Sequence, residues 1–211
     1  MGARSGPPRR VFPPDLDQIE DALEAGGIVA VPTDTVYGLA ARFEVPEAMA
    51  ALFALKGRPT DVAVPVLLGS PQQVDPLVAA WPPVAQQLSA RFWPGPLTLV
   101  VAAQPGVGRL LGGDGTTVGL RFPDHHFVRS LCRRMGPVAV TSANRHGEPP
   151  CTTVDEVLAT FGESTPPLAL VVDGGPCDGA PSTVVDCTTD PPTCRRQGAI
   201  AWDGIMGALG V

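Results

Sequence analysis

Lysine is almost missing from this sequence: of its 15 basic residues 14 are Arg and one, Lys56, is Lys. Tyrosine is equally rare, with Tyr37 alone. Charged residues make up only 17% of the chain and the formal net charge is -6, which excludes a wholly polyanion-binding surface but leaves room for a local basic cleft. No apolar run reaches the roughly 18 residues of a membrane-spanning helix, and residues 1–14, rich in Arg and Pro, lack the apolar stretch of a signal peptide. The five cysteines form no CxxC pair and stand at no metal-ligand spacing from the three histidines, so reduced thiols in a cytoplasmic protein are expected. GxxxxGK[ST], GxGxxG and GxSxG are all absent, which removes the common phosphate-loop, dinucleotide and nucleophile-elbow readings.

Glycine and proline, by contrast, supply 24 and 25 of the 211 residues, so short apolar elements must alternate with many turns. A long helical bundle or coiled coil is therefore excluded. The organisation reads as a flexible leader over 1–14, one domain over 15–205 and a tail over 206–211. Leu16, Ile19 and Leu23 recur at helical spacing behind Asp15, and Gly26-Gly27 stops that helix. Further helices are expected at Pro46–Leu55, Pro83–Phe92, Asp124–Met135 and Thr153–Phe161, the last opened by a Thr153/Glu156 capping box. Strands are expected at Ile28–Val31, Val64–Leu68, Leu97–Ala103, Thr117–Phe122, Val138–Thr141, Leu168–Val172 and Thr183–Asp186. Interleaving without strict alternation predicts class α/β (α+β), a single-domain twisted mixed sheet with flanking helices.

Four polar clusters fall at the ends of these elements. Pro32-Thr33-Asp34-Thr35-Val36-Tyr37-Gly38 could hold a small polar ligand or form an Asx or ST turn. Lys56-Gly57-Arg58-Pro59, expected at an exposed helix end, suits phosphate or carboxylate, although helix C-termini attract cations for purely structural reasons. Thr141-Ser142-Ala143-Asn144 could line a phosphate site or cap a turn. Arg121 ends an apolar strand and must meet an anion, solvent or a carboxylate inside the fold. Gly112-Gly113-Asp114-Gly115 reads as a turn, since no helix follows it. Adjacent His125 and His126 diverge by about 100° on a helix and do not share a metal easily.

Six blocks in order carry a resemblance: Gly27 to Leu39, Leu55-Lys56-Gly57-Arg58-Pro59, Phe92 to Thr98, Gly119-Leu120-Arg121-Phe122-Pro123-Asp124-His125, Thr141-Ser142-Ala143-Asn144, and Ser182-Thr183-Val184-Val185-Asp186. Over roughly residues 15–200 the chain resembles the YrdC/Sua5 family in its short single-domain form. The resemblance implies a YrdC-like sheet with a central basic cavity. It also implies synthesis of L-threonylcarbamoyladenylate from L-threonine, bicarbonate or CO2, and ATP with Mg2+. Pyrophosphate is released, and the product passes to a separate t6A transferase complex, with a weak tRNA contact and no membrane. Carried over by motif, Lys56 and Arg58 act electrostatically on the reacting anions, with no general base. ATP falls to Arg58, Thr117, Ser142, Asn144, Pro150 and Arg196, and threonine to Thr35, Arg121, Val140 and Ser182. The stretch Val62 to Leu67 is apolar where relatives often carry Asn, Lys or His, so one ATP contact and one threonine contact lack that side chain, and either substrate affinity is lower or backbone groups substitute. Competing readings are a noncatalytic RNA-binding module, disfavoured by the acidic charge and few aromatics, and a carbamoyl-adenylate-forming domain of hydrogenase-maturation type.

Overall fold

A computed structural model describes residues 8–12, 15–164, 166, 168–177 and 179–210. Strand β1 (Arg9–Val11) precedes helix α1 (Leu16–Glu24), which Asp15 caps by accepting from the Asp17 and Gln18 backbone N–H groups. Then follow β2 (Val29–Val31), β3 (Gly38–Ala41), α2 (Pro46–Lys56), β4 (Val66–Leu67), α3 (Pro83–Phe92) and β5 (Leu97–Ala102). The chain continues through α4 (Val107–Leu110), β6 (Thr117–Arg121), α5 (His126–Met135), β7 (Val138–Ser142) and α6 (Val154–Phe161). It ends with β8 (Leu170–Val172), β9 (Thr183–Asp186), β10 (Thr193–Arg196) and α7 (Trp202–Leu209). These strands form one mixed sheet in the order β1-β8-β2-β3-β7-β4-β6-β5-β9-β10.

Alternation along the strands sorts the core onto two faces. On β7, Val138 and Val140 join Ile19 and Leu23 of α1 and Val128 and Leu131 of α5, while Ala139 between them faces the other way. That other, larger face receives Leu52 of α2, Leu88 of α3, Phe161 of α6 and Ile205 of α7. The expected capping box at Thr153 and Glu156 is formed.

Two expected boundaries move. Within the leader, Arg9–Val11 pairs in parallel with β8 and buries Val11 in the smaller core face, so this part is a strand; residues 1–7, 13 and 14 lie outside those described. Residues 206–209 of the expected tail belong to α7, which docks on α3: Ile205 is fully buried and Gln87 Nε2 donates to the Ala208 carbonyl at 2.8 Å.

Sequence patterning does not reveal β3, because Gly38, Leu39, Ala40 and Ala41 lack β-branching. Smallness is what its place demands: a Cβ on Gly38 would stand 2.4 Å from Val140 Cγ1 of neighbouring β7. Among the described residues no helix is long and apolar enough to cross a membrane. Ile205→Ala is expected to destabilise the fold by about 2–5 kcal/mol, because it leaves a cavity between α7 and the rest of the core. Urea unfolding measures this, and an effect near zero would return α7 to the status of a tail.

Candidate active site

Helix α2 ends at Gly57, whose φ of 63° is left-handed, a conformation in which any side chain is strained. The turn leaves Lys56 pointing inward and carries the chain on to Arg58. Lys56 is only 2% exposed, which corrects the expectation of an exposed helix end. Its Nζ donates to Ser142 O at 2.6 Å, Asn144 Oδ1 at 2.8 Å and Asn144 O at 3.0 Å, with Ser142 Oγ at 3.3 Å. Asn144 is fully engaged as well: Oδ1 accepts from Ser142 Oγ at 2.6 Å, and Nδ2 donates to Arg145 O and Glu148 O at 2.8 and 2.7 Å. The same loop satisfies the helix end, with Arg145 Nη1 donating to Leu55 O and the His146 N–H to Lys56 O. Burial, reinforced by Arg58 and Arg196, pushes the Lys56 pKa down to about 7. The oxygen acceptors oppose this, because only the ammonium offers three donors.

Two adjacent cavities, with Arg58, Pro65, Thr98 and Arg196 in both walls, lie beside this joint. The inner one, of about 100 Å³, draws its wall from both halves of the sheet: Thr35, Gly38 and Val140 on one side, Leu67, Arg121 and Ser182 on the other. Arg121 is almost buried and its ion pair with Asp34, at 2.6 Å, supplies the internal carboxylate that sequence reading left open. Nε donates to Gly95 O at 3.1 Å and Nη1 to Thr35 Oγ1 at 2.9 Å. A guanidinium has five N–H donors, so two remain for a ligand carboxylate. Thr35 is held in turn by Thr33 Oγ1, at 3.0 Å.

The outer cavity is larger, about 480 Å³, and is walled by Thr117, Gly113, Asp61, Asp114, Arg195 and Arg196, among others. A bulge in β10 puts consecutive arginines to use there, because the register with β9 slips between Cys194 and Arg196. Arg195 pairs with Asp186 at 2.5 Å, while Arg196 Nη2 donates to Ser182 O and Oγ at 2.9 and 3.1 Å. Arg58 is anchored from behind by the Val62 and Ala63 carbonyls, at 2.8 and 2.7 Å. Burial lowers the pKa of Arg58 and of Arg196, and repulsion adds to it: Arg196 acts on Arg58, and Arg121 on Arg196. None of the inner cavity's lining residues is acidic. With Asp34 held against Arg121 and no carboxylate on the wall itself, this row of guanidiniums has the electrostatics that suit an anion.

The structure thus brings Thr35, Arg58, Arg121, Val140, Ser142, Ser182 and Arg196 to the inner wall and Thr117 to the outer one. Lys56, Asn144 and Pro150 line neither cavity: the first two are used up in bracing the Ser142 loop, and Pro150 lies on the stretch returning to Cys151, whose N–H bonds Ala143 O. The sequence pattern assigns no ligand to Thr98, includes Thr33 only as part of the Pro32 to Gly38 cluster and reads Gly113 as part of a turn, yet all three are wall residues. The Gly112 to Gly115 run was the available signal for Gly113, and here it leads into β6 rather than a helix.

A mixed sheet carrying adjacent cavities lined by hydroxyls and guanidiniums is the architecture of a protein suited to binding small anions. The chain belongs to the Sua5/YciO/YrdC family, whose sequence profile, described as "Telomere recombination", matches residues 21–198. A putative threonylcarbamoyl-AMP synthase of Mycobacterium tuberculosis (strain ATCC 25618 / H37Rv) is 40% identical over 191 residues, covering 90% of this chain and 87% of the relative. The threonylcarbamoyl-AMP synthase of Photobacterium profundum is 34% identical, over 87% of this chain and 99% of its own. Among solved structures, Pyrococcus abyssi Sua5 complexed with L-threonine matches with a TM-score of 0.86 and 34% identity, over 96% of this chain and 60% of that one.

Lys56→Met is expected to destabilise the fold, since each buried acceptor left without a donor costs about 1–3 kcal/mol. The pH dependence has a definite sign. Folded Lys56 releases its proton near 7 and the unfolded lysine near 10.5, so this group's contribution to stability rises with pH between those values. Urea unfolding of wild type and Lys56→Met at about pH 7 and pH 9 should show their difference growing with pH, and a difference independent of pH would mean that the ammonium stays charged throughout.

Proposed function

We propose that this chain is a threonylcarbamoyl-AMP synthase, joining L-threonine, bicarbonate or CO2, and ATP, with release of pyrophosphate, for the t6A modification of tRNA. The observation that carries this reading is the carboxylate-free inner wall bearing Arg58, Arg121 and Arg196, in a member of this family. The reaction must bring a carbamate anion to the α-phosphorus of a second anion, which fixed cations make feasible.

Threonine occupies the inner cavity, its carboxylate on the two spare N–H groups of Arg121 and its polar atoms near Thr35, Ser182 and the backbone of Val140. Its size suits the smaller space, as the triphosphate and nucleoside suit the larger. ATP lies in the outer cavity against Thr117, with Arg58, Arg196 and Ser142 directed at its phosphates. Lys56 and Asn144 act one step removed, as positioning residues that fix the Ser142 hydroxyl. Pro150 serves only through the loop that carries it.

Among the described residues no group of three or more His, Cys, Asp or Glu side chains is placed to hold a metal ion. Asp61 and Asp114 nevertheless border the outer cavity, and Thr116 holds the Asp114 carboxyl below the usual range by hydrogen bonds to one oxygen. Two carboxylates with phosphate oxygens and water suit Mg2+ entering with ATP, which would neutralise phosphate charge. The adenylate then passes to a t6A transferase complex in the cytoplasm.

Purified protein with labelled bicarbonate, threonine, ATP and Mg2+ is expected to give pyrophosphate and a labelled adenylate only when threonine is present. Arg121→Lys should raise the threonine KM about tenfold or more, because a point charge cannot reproduce the guanidinium fork. A product that forms equally without threonine, or with carbamoyl phosphate in its place, would refute the reading.

A further inference from the structure

Thr98 has no role in the assignments above, yet it stands where the two cavities meet. The residues that line both are Arg58, Pro65, Thr98 and Arg196. Thr98 is 3% exposed, and among the described residues the only hydrogen-bond partner of its hydroxyl is Ser182 Oγ, at 2.9 Å. Ser182 Oγ already accepts from Arg196 Nη2 at 3.1 Å. Either hydroxyl of this pair can donate to the other, and with Ser182 as the donor the Thr98 proton is left for a ligand in the neck. Guanidinium, serine and threonine then form a donor chain in which each bond polarises the next. In that arrangement the neck presents two guanidiniums, one hydroxyl donor and no carboxylate.

Given the synthase reading, on which this inference rests, the carbon supplied by bicarbonate must lie between the amine in the inner cavity and the α-phosphorus in the outer one. We propose that the carbamate is formed and held in this neck, and that the Thr98 hydroxyl donates a hydrogen bond to a carbamate oxygen flanked by Arg58 and Arg196. The amine nitrogen bonds to the carbon of bicarbonate, a C–O bond breaks and water leaves: R–NH2 + HCO3⁻ gives R–NH–COO⁻ + H2O. A carbamate oxygen then attacks the α-phosphorus, and the bond to the β-phosphate oxygen breaks, its electron pair leaving with pyrophosphate. Free CO2 gives the same anion with release of a proton, so the neck serves either source.

Thr98→Val keeps the β-branched shape that β5 favours and removes only the hydroxyl. In pyrophosphate release measured against total bicarbonate, at saturating threonine and ATP, this variant is expected to raise the bicarbonate KM about tenfold or more, as loss of a hydrogen bond to a charged group predicts. Threonine binding followed by calorimetry and the thermal unfolding midpoint should stay at wild-type values, and Thr98→Ser should restore the bicarbonate KM. An unchanged bicarbonate KM overturns the proposal while leaving the synthase reading intact. A lowered midpoint with parallel loss of threonine binding overturns it too, by making Thr98 structural. Wild-type protein that releases no threonine-dependent pyrophosphate would refute the synthase reading itself, and the neck with it.

Discussion

The buried ammonium of Lys56 is the joint on which the site depends. It ties the last turn of α2 to the end of β7 and the residues just beyond it, joining parts of the chain 86 and 88 residues apart in sequence. Without the Lys56 side chain, the Ser142 and Asn144 oxygens would lose the donor that they share. The same joint places Arg58 two residues on, after a left-handed glycine, so one helix end determines both the shape of the Ser142 loop and the position of a cavity cation.

Concentrating cations in this way works against folding. Arg58, Arg121, Arg196 and Lys56 form a repelling row, and among the described residues only Arg121 has a carboxylate, Asp34, against it. The others lean on neutral oxygens: Arg58 on two carbonyls, Arg196 on Ser182, Lys56 on the Ser142 loop. Neutral acceptors hold the side chains in place without cancelling their charge, so the field remains available to an incoming anion. That is electrostatic preorganisation, in which the unfavourable arrangement is built at folding and relieved when substrate binds. It also accommodates the net charge of -6, since the acids can lie elsewhere, as Asp155 and Asp17 do at the surface.

Much of this was legible in the sequence. The apolar runs of β2, β5, β6, β7 and β9 declare themselves, and six ordered blocks identify the wall residues Thr35, Arg58, Arg121, Ser142 and Ser182. Local pattern does not reveal β3 and β10, for opposite reasons. Strand β3 is so crowded that it keeps only small side chains apart from Leu39, and β10 is an exposed edge whose Cys194-Arg195-Arg196 carries no alternation. Tertiary contact supplies the signal in both cases. The direction of Lys56 was equally hidden, because a cation at a helix end normally faces solvent, and only the acceptors contributed from 86 residues away turn it inward.

The scarcity of lysine now has a geometric explanation at its single position. Four oxygens converge on Nζ from Ser142 and Asn144, at 2.6 to 3.3 Å. A compact ammonium at the tip of a flexible stem can sit at such a centre, whereas a planar guanidinium is wider and sends its donors outward in one plane. The cavity poses the opposite problem. Arg58, Arg121 and Arg196 must each grip a protein acceptor with some N–H groups and still present others to a ligand, which a five-donor fork does and a point charge does not. The chain thus uses arginine where a cation must face two ways and lysine where it must fill one closed shell, so the composition bias stops at the one position where arginine does not fit.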